Sequence, residues 1–463
     1  MVPTAAQEGH PTCGRSAKHR GYRGQSRGYT RPPAHAAHTI SAESGPAAWQ
    51  MRERRMFSGQ SADQSCHPYL GAPLPRGSCG GGGWQVARAR INPPTPTWAR
   101  HSSNLSLEEL ARAVGVKPSR ISEFEAGKTL PTFRQLTLMS TKLDRSLGFL
   151  FVPPPEHPDV PETADFRGRG DYDDEFPPDL VKEMRRAEQH RSTMLDLAGR
   201  PDLRIELNAI NWNTAPQRAP ELRTQFGLTD SFVPPESSNS QVFNFWRGLI
   251  EERGVLVFQT TRIPLDAFRG LSVYHEDLPL IMVNGSDSNT AKAFTLFHEI
   301  AHLANRTSGM CALKQSVNEE AVANSFAASF LMPETAVRAH VTKGVDDAMT
   351  ASDSLAQRFK VSALAAAVRL RTLDLIDDRE LESVRADSDE QWARVREEQK
   401  AKNGFVPQWR LRYRDLGPNY IGTVARALED RRVDMVDATY LLNARVPMVE
   451  QLLDEYYRTG GAE

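Results

Sequence analysis

Apolar residues recur at helical spacing soon after the first hundred positions of the chain. Leu107, Leu110 and Val114 fall on one face of a first helix. Gly115 is placed to end that helix, because glycine readily adopts the left-handed backbone of a helix C-terminus. Two more short helical patterns follow, and a glycine ends the first of them. Short helices joined by a tight glycine-containing turn predict a helix-turn-helix domain over residues 93–152.

The apolar pattern changes to short buried strands in the middle of the chain. The segment GVLVFQ follows a helical segment, and FRGLSVYHE and LPLIMVNG are typical of two further strands, with a turn at Asn284 and Gly285. The apolar segments after them have helical length. We therefore predict a multidomain α+β protein, in which an all-α domain precedes a small sheet with helices and a helical C-terminal tail.

The predicted domain boundaries follow these changes of pattern. Residues 1–92 form a tail, and 93–152 form the helix-turn-helix domain. Residues 153–240 are a linker, rich in proline at its start, and a helical region. The strands and the helices after them occupy 241–376, and 377–463 form the helical C-terminal region.

The tail over 1–92 has no hydrophobic periodicity. It is rich in Gly, Ser, Arg, His and Pro, so it cannot bury enough apolar surface to offset its ordering entropy. We expect a disordered low-complexity segment. Two alternatives stay open: a basic arm that binds nucleic acid, and a reading frame opened upstream of the true start, since Met51 and Met56 are internal starts.

Composition excludes some classes of partner. The 57 Lys and Arg residues balance the 58 Asp and Glu residues, so nucleic acid would have to bind at a local patch. No apolar run has the length of a membrane span, and the N-terminus lacks the apolar core of a secretory signal, so we expect no membrane partner. The 4 cysteines form no CxxC pair, which fits a reducing cytoplasm.

The segment FHEIAHLAN contains two histidines one helical turn apart. His298 and His302 project from the same face, so both imidazoles can ligate one metal ion. Glu299 can act as a general base on a water molecule without binding the metal. The alternative is an ordinary helix with two hydrogen-bonded histidines. Nearly all surrounding residues are apolar, however, and burying these polar groups without a metal would be costly.

A third metal ligand has a candidate in the next helical segment, NEEAVANSFAASFLMP. Glu320 shares a helix face with small alanines, which allow close approach to the first helix. Asn324 lies one turn further on, where it can hydrogen-bond a ligand histidine. The alternative is that Glu319 and Glu320 only occupy a first helical turn, where the helix dipole favours carboxylates.

These segments resemble the ImmA/IrrE family of metallopeptidases, and the domain before them resembles the XRE-type (Cro-type) helix-turn-helix often fused to such proteins. The resemblance implies a zincin-like peptidase domain with Zn²⁺ held by His298, His302 and Glu320, and with Glu299 as the catalytic base. It also implies endopeptidase action on a transcriptional regulator, commonly a repressor, in a stress response or a mobile-element or toxin–antitoxin system. Zincins usually carry a carboxylate one turn after the third ligand, where this chain has Asn324.

The second helix of a helix-turn-helix enters the major groove with its first residues. We predict that DNA is contacted by Lys117, Ser119, Arg120 and Ser122. Pro118 stands where family members commonly carry glutamine, and Glu123 would repel phosphate. The alternative is therefore a docking or dimerisation module, and a homodimer is compatible with either use.

The sequence is compatible with two functions. One is a cytoplasmic zinc endopeptidase with a DNA-binding-type domain, and the other is a non-catalytic XRE-type regulator that uses the zincin fold to sense a signal or bind a partner. The intact Glu299 favours the peptidase, because a purely structural zinc site does not need it. We also expect a substrate to pair with the sheet edge formed by 268–284. His275, His340 and Tyr274 are better explained as surface or packing residues than as oxyanion donors.

Overall fold

The structure is a computed structural model. It describes residues 87–156, 176–234, 238–306, 309–310, 317–341, 347–401 and 406–459. The tail before residue 87 lies outside the described residues, and so do all four cysteines, Cys13, Cys66, Cys79 and Cys311. The expectations for them therefore stay predictions.

The N-terminal domain consists of short helices around a small apolar core. Its helices are α1 Pro94–His101, α2 Leu107–Val114, α3 Pro118–Glu125 and α4 Phe133–Leu143, followed by a 3-10 helix, Gly148–Phe151. Ser106 and Glu109 cap the start of α2, and Gly115 ends it in the left-handed conformation, with φ 75°, as predicted. Ile121 of α3 and Leu136 of α4 are fully buried in the core.

A four-stranded sheet forms the centre of the larger domain. Its strands are β1 Leu256–Thr260, β2 Gly270–Val273, β3 Leu280–Asn284 and β4 Gly309–Met310, in the order β1-β3-β2-β4. β1 runs parallel to β3, and β2 is antiparallel to both of its neighbours. The expectation of a free edge over 268–284 is wrong, because β2 and β3 are interior strands and β4 pairs with Leu271 and Ser272.

Helices cover both faces of this sheet, which explains why β1, β2 and β3 are buried along their whole length. The helices before the sheet are α5 Pro178–Ala198, α6 Ala215–Gln225 and α7 Asn239–Glu251. Those that follow β3 are α8 Asn289–Asn305, α9 Val317–Leu331, α10 Glu334–His340, α11 Ala348–Phe359 and α12 Ala363–Thr372. Alternate residues such as Val257 and Ile281 pack in the core that contains α8 and α9.

The opposite face of the sheet packs against α5 and the C-terminal helices. These are α14 Gln408–Leu416, α15 Pro418–Glu429, α16 Met435–Leu441 and α17 Val446–Arg458. The helix between α12 and α14, α13 Asp378–Ala401, instead packs against α11 and α12, in the core that contains α8. Phe258 and Leu271 of the sheet share a core with Tyr420 and Ile421 of α15. The predicted helical tail therefore contributes directly to the folding of the sheet.

Polar contacts join α5 to the N-terminal domain. Lys182 and Arg186 lie 3.0 and 3.1 Å from the carboxylate of Asp144, which follows the last residue of α4. Arg185 donates to the hydroxyl of Ser103 at 3.1 Å. Burial by itself would raise the pKa of Asp144, but Arg186 and Lys182 outweigh it and lower that pKa. α5 thus contacts both the sheet and the helix-turn-helix domain.

Across the described ranges, every helix is too short or too polar to cross a membrane.

Candidate metal centre

The motif FHEIAHLAN lies in the second half of α8, which is deeply buried against the sheet. The hydroxyl of Ser288 accepts a hydrogen bond from the backbone N–H of Ala291 and so caps the start of the helix. His298 and His302 are 7% and 2% exposed, and Glu299 is fully buried. Polar groups at this depth need partners or a ligand, so the arrangement of their neighbours decides what they can do.

Three side chains from two helices converge at one point. The Nε2 atoms of His298 and His302 face each other at 3.0 Å. The two carboxylate oxygens of Glu320, from α9, lie 3.3 Å from Nε2 of His298 and 3.5 Å from Nε2 of His302. Ligand atoms around a tetrahedral zinc with bonds of about 2.0–2.1 Å are about 3.3 Å apart, so these three side chains fit such an ion.

Asn324 orients the first of these histidines. Its Oδ1 lies 2.9 Å from Nδ1 of His298. An amide oxygen can only accept, so the hydrogen bond requires the proton of the neutral imidazole on Nδ1 and leaves the lone pair of Nε2 for a metal. The structure thus places Asn324 beside His298, where a hydrogen bond was predicted.

The charges in the cluster favour a carboxylate that stays ionised. Burial alone would raise the pKa of Glu320, but its hydrogen bonds with His298 and His302 dominate and lower that pKa to about 2. Burial alone would lower the pKa of His298, but Glu320, Glu299 and Asn324 together raise it. Metal binding requires a deprotonated carboxylate, and Glu320 meets that requirement.

Close packing of α9 against α8 brings Glu320 to the histidines. Ala323 and Ala327 are almost fully buried in the shared core. Phe297 of α8 stacks on Phe330 of α9, with 3.9 Å between ring centroids. Small side chains let the helices approach, and the aromatic pair fixes their relative position along the axis. The side chain of Glu320 is 27% exposed, so solvent reaches the cluster from the α9 side.

A glycine of β2 makes room for Glu299, and sequence reasoning missed it. A Cβ atom at Gly270 would lie 2.7 Å from Oε1 of Glu299 and 2.4 Å from Cγ2 of Thr295. Only glycine allows α8 to approach the strand this closely. The available signal was a glycine at the start of a strand, which indicates close approach of another element, although the sequence did not show which element that was.

Other candidate residues have separate contacts. Nε2 of His275 lies 2.8 Å from Glu188, Nε2 of His340 lies 2.8 Å from the hydroxyl of Ser354, and Tyr274 stacks under Arg306. Glu319 lines a groove of about 590 Å³ beside the cluster, together with Trp212, Asn305 and Asn318. It is absent from the cluster of His298, His302 and Glu320.

The predicted DNA-contacting residues lie at the start of α3 and just before it. Lys117, Ser119 and Ser122 are exposed. Arg120 is different, because its Nη1 lies 2.6 Å from Oε2 of Glu123, one turn along the same helix. Its guanidinium also lies over the ring of Phe124. Part of the positive charge expected at this surface is therefore neutralised within the helix.

Two histidines on one helix and a glutamate on the next, beside a small sheet, define a domain of the metallopeptidase type. Residues 250–371 match the peptidase family described as the IrrE N-terminal-like domain. Residues 98–150 match the helix-turn-helix family. The chain thus carries an IrrE-type peptidase domain preceded by an XRE-type helix-turn-helix domain, as the resemblance implied. No curated protein matches the chain.

Proposed function

We propose that the protein is a zinc-dependent endopeptidase that cleaves a transcriptional regulator, with His298, His302 and Glu320 as the zinc ligands. The observation that carries this proposal is the convergence of these three side chains, with ligand atoms 3.0 to 3.5 Å apart. A fully buried carboxylate, Glu299, follows the first histidine directly. A structural zinc site is normally closed by four protein ligands, whereas a peptidase site needs three and an open position.

Different residues of the chain have different roles in the proposed hydrolysis of a peptide bond. A bound zinc ion supplies Lewis-acid activation of water and of the substrate carbonyl. The carboxylate of Glu299 accepts a proton from the attacking water and returns it to the nitrogen of the leaving amine. Packing against Gly270 holds that carboxylate in place, and Asn324 keeps the lone pair of His298 directed at the cluster.

The helix-turn-helix domain would bring this activity to a regulator, either by binding DNA or by binding the regulator itself. The contacts of α5 with Asp144 and Ser103 support this, because they attach the domain to an element that also packs on the sheet. A regulator of a stress response, a mobile element or a toxin–antitoxin module is the substrate class that we propose.

The decisive experiment separates the base from the ligands. Glu299→Gln preserves size, so zinc content should stay near that of the unmodified protein, while cleavage falls by about 10²–10⁴-fold because the general base is lost. The same inactive variant serves as bait for the substrate, and the captured protein is then offered to the active enzyme. Zinc is measured by elemental analysis and cleavage by the appearance of fragments.

The result also tests the non-catalytic alternative. If the captured partner is never cut by the unmodified protein, or if Glu299→Gln cuts it at the same rate, the peptidase proposal fails. A protein that retains zinc and partner but cuts nothing would instead be a regulator that uses the zincin fold for binding.

A further inference from the structure

A second cavity, of about 440 Å³, lies on the sheet face opposite to α8. It is bounded by α5, by α14 and by the residues before and at the start of α17. Its floor contains Phe258, Gln259 and Thr260 from the carboxyl end of β1, which is parallel to β3. Ligands of α/β proteins bind beyond the carboxyl ends of parallel strands, and this volume is typical of a small-molecule site.

Cations predominate in the lining of this cavity. Four arginines contribute to it, namely Arg186, Arg262, Arg412 and Arg445, against two carboxylates, Glu183 and Asp415. The acidic groups are already engaged. Glu183 pairs with Arg186 at 3.1 Å, and Asp415 pairs with Arg414, a neighbour in sequence that does not line the cavity, at 2.6 Å.

Two of these guanidinium groups have no carboxylate within hydrogen-bond or ion-pair distance among the described residues. Within the described parts of the chain, the side chains of Arg412 and Arg445 form no hydrogen bond and no ion pair. Burial lowers the pKa of Arg412, and so do the nearby charges of Arg186 and Arg262, while the carboxylates of Asp415 and Glu183 act in the opposite direction without reversing the shift. Cations crowded in this way repel one another, the two carboxylates offset part of that repulsion, and an anion between the guanidinium groups would reduce it further.

We propose that this cavity binds a small organic anion, whose phosphate or carboxylate oxygens pair with Arg412 and Arg445. Guanidinium groups bind both kinds of oxygen through paired, charge-assisted hydrogen bonds. The apolar side chains of Phe258, Met282 and Met448 also line the cavity and would contact the carbon part of the ligand. The site is separate from the zinc cluster, which lies on the other face of the sheet, so binding does not depend on peptidase activity.

A ligand in this cavity would act on the helix-turn-helix domain through Arg186. Arg186, which lines the cavity, also pairs with Asp144 at the end of α4. An anion held beside Arg186 would compete with Asp144 for that guanidinium.

The test is isothermal titration calorimetry on the full-length protein at one fixed ionic strength, because salt screens such contacts. The probes are inorganic phosphate, adenosine monophosphate and citrate, which separate the phosphate group, an organic phosphate and a carboxylate. We expect saturable binding of adenosine monophosphate or citrate, tighter than that of inorganic phosphate because of the apolar walls. Arg412→Gln should weaken it by about tenfold or more, since a charged hydrogen bond contributes about 1.5–3 kcal/mol.

A matched control lies on the same helix. The guanidinium of Arg410 lies over the ring of Trp409, outside the cavity, so Arg410→Gln should bind the probe like the unmodified protein. Arg445 is exposed at the rim of the cavity, so Arg445→Gln should fold normally. If Arg412→Gln loses its cooperative melting transition, the affinity of Arg445→Gln for the probes tests the proposal instead. Absence of saturable binding with all three probes overturns the proposal, as does unchanged affinity in the arginine variants that fold.

Discussion

The cluster of His298, His302 and Glu320 and the helix α3 hold their polar side chains in different ways. His298, Glu299 and His302 are buried, and neighbours on α9 and β2 determine where each one lies. Lys117, just before α3, and Ser119, in its first turn, are exposed. A buried polar group must be satisfied by the protein, so its geometry is set before a ligand arrives, whereas an exposed group takes its geometry from the ligand.

This difference predicts large effects for changes at the cluster of His298, His302 and Glu320 and graded effects for changes on α3. The largest effects are expected for the proposed zinc ligands. Glu320→Ala or His302→Ala should reduce zinc from about one per chain to a small fraction, because three protein ligands are the minimum for a catalytic zinc site. Elemental analysis of the purified variants measures this.

Glu319→Ala is the control for the ligand variants, because Glu319 lines the neighbouring groove and should not affect zinc. Loss of zinc in Glu319→Ala with retention in Glu320→Ala would show that the assignment of the third ligand is wrong by one residue.

Gly270→Ala tests whether the close approach of α8 to β2 matters. The new Cβ atom would overlap Thr295 and Glu299, so we expect a loss of about 1–3 kcal/mol in the free energy of unfolding, as in overpacked cores. Cleavage should fall more than zinc content, since Glu299 is displaced and the ligands are not. Denaturant unfolding and cleavage rate are the measurements.

Gly248→Ala is the matched control for Gly270→Ala, because a Cβ atom at Gly248, within α7, would have no atom within 4 Å. This variant should be as stable as the unmodified protein or slightly more stable. If both glycine variants behave alike, the close approach at Gly270 has no special role.

Removing the side-chain amide of Asn324 should weaken zinc binding by about 10–100-fold, the usual effect of losing a group that orients a ligand histidine. The lower end is expected, because Asn324 is exposed and water can replace it. Competition with a chelator gives the affinity of Asn324→Ala. Ser325→Ala is the control on the same helix, and equal affinities in the two variants would exclude an orienting role.

The smallest effects are expected at the recognition helix. If Lys117 and Arg120 contact phosphates, changing both to alanine should reduce the slope of log affinity against log salt by about two units, one for each contact. Glu123→Gln should strengthen binding, because it frees Arg120 from its ion pair. DNA binding is measured across several salt concentrations.

Lys360→Ala, far along the chain in the peptidase domain, controls for net charge. Unchanged affinity in the double variant would favour the docking interpretation of the helix-turn-helix domain over DNA binding.

The features of this protein that could be predicted from its sequence are those that depend on residues close together in the chain. Helices α2 and α4 of the N-terminal domain follow from their capping residues and, for α2, from Gly115, which all act within one or two turns. The shared direction of His298 and His302 follows from helical spacing alone. By contrast, the free edge expected for the sheet was wrong, because pairing of β2 with β4 depends on a segment distant in sequence.

The sequence by itself determined the two domain types, the helix that carries FHEIAHLAN and the faces on which its polar residues lie. Only the tertiary structure brought Glu320 rather than Glu319 to the histidines, placed Gly270 against Glu299 and gathered four arginines from separate segments around one cavity. The physical reason is range. Helical spacing, caps and turns act over a few residues, whereas these juxtapositions depend on how helices and strands far apart in the chain pack together.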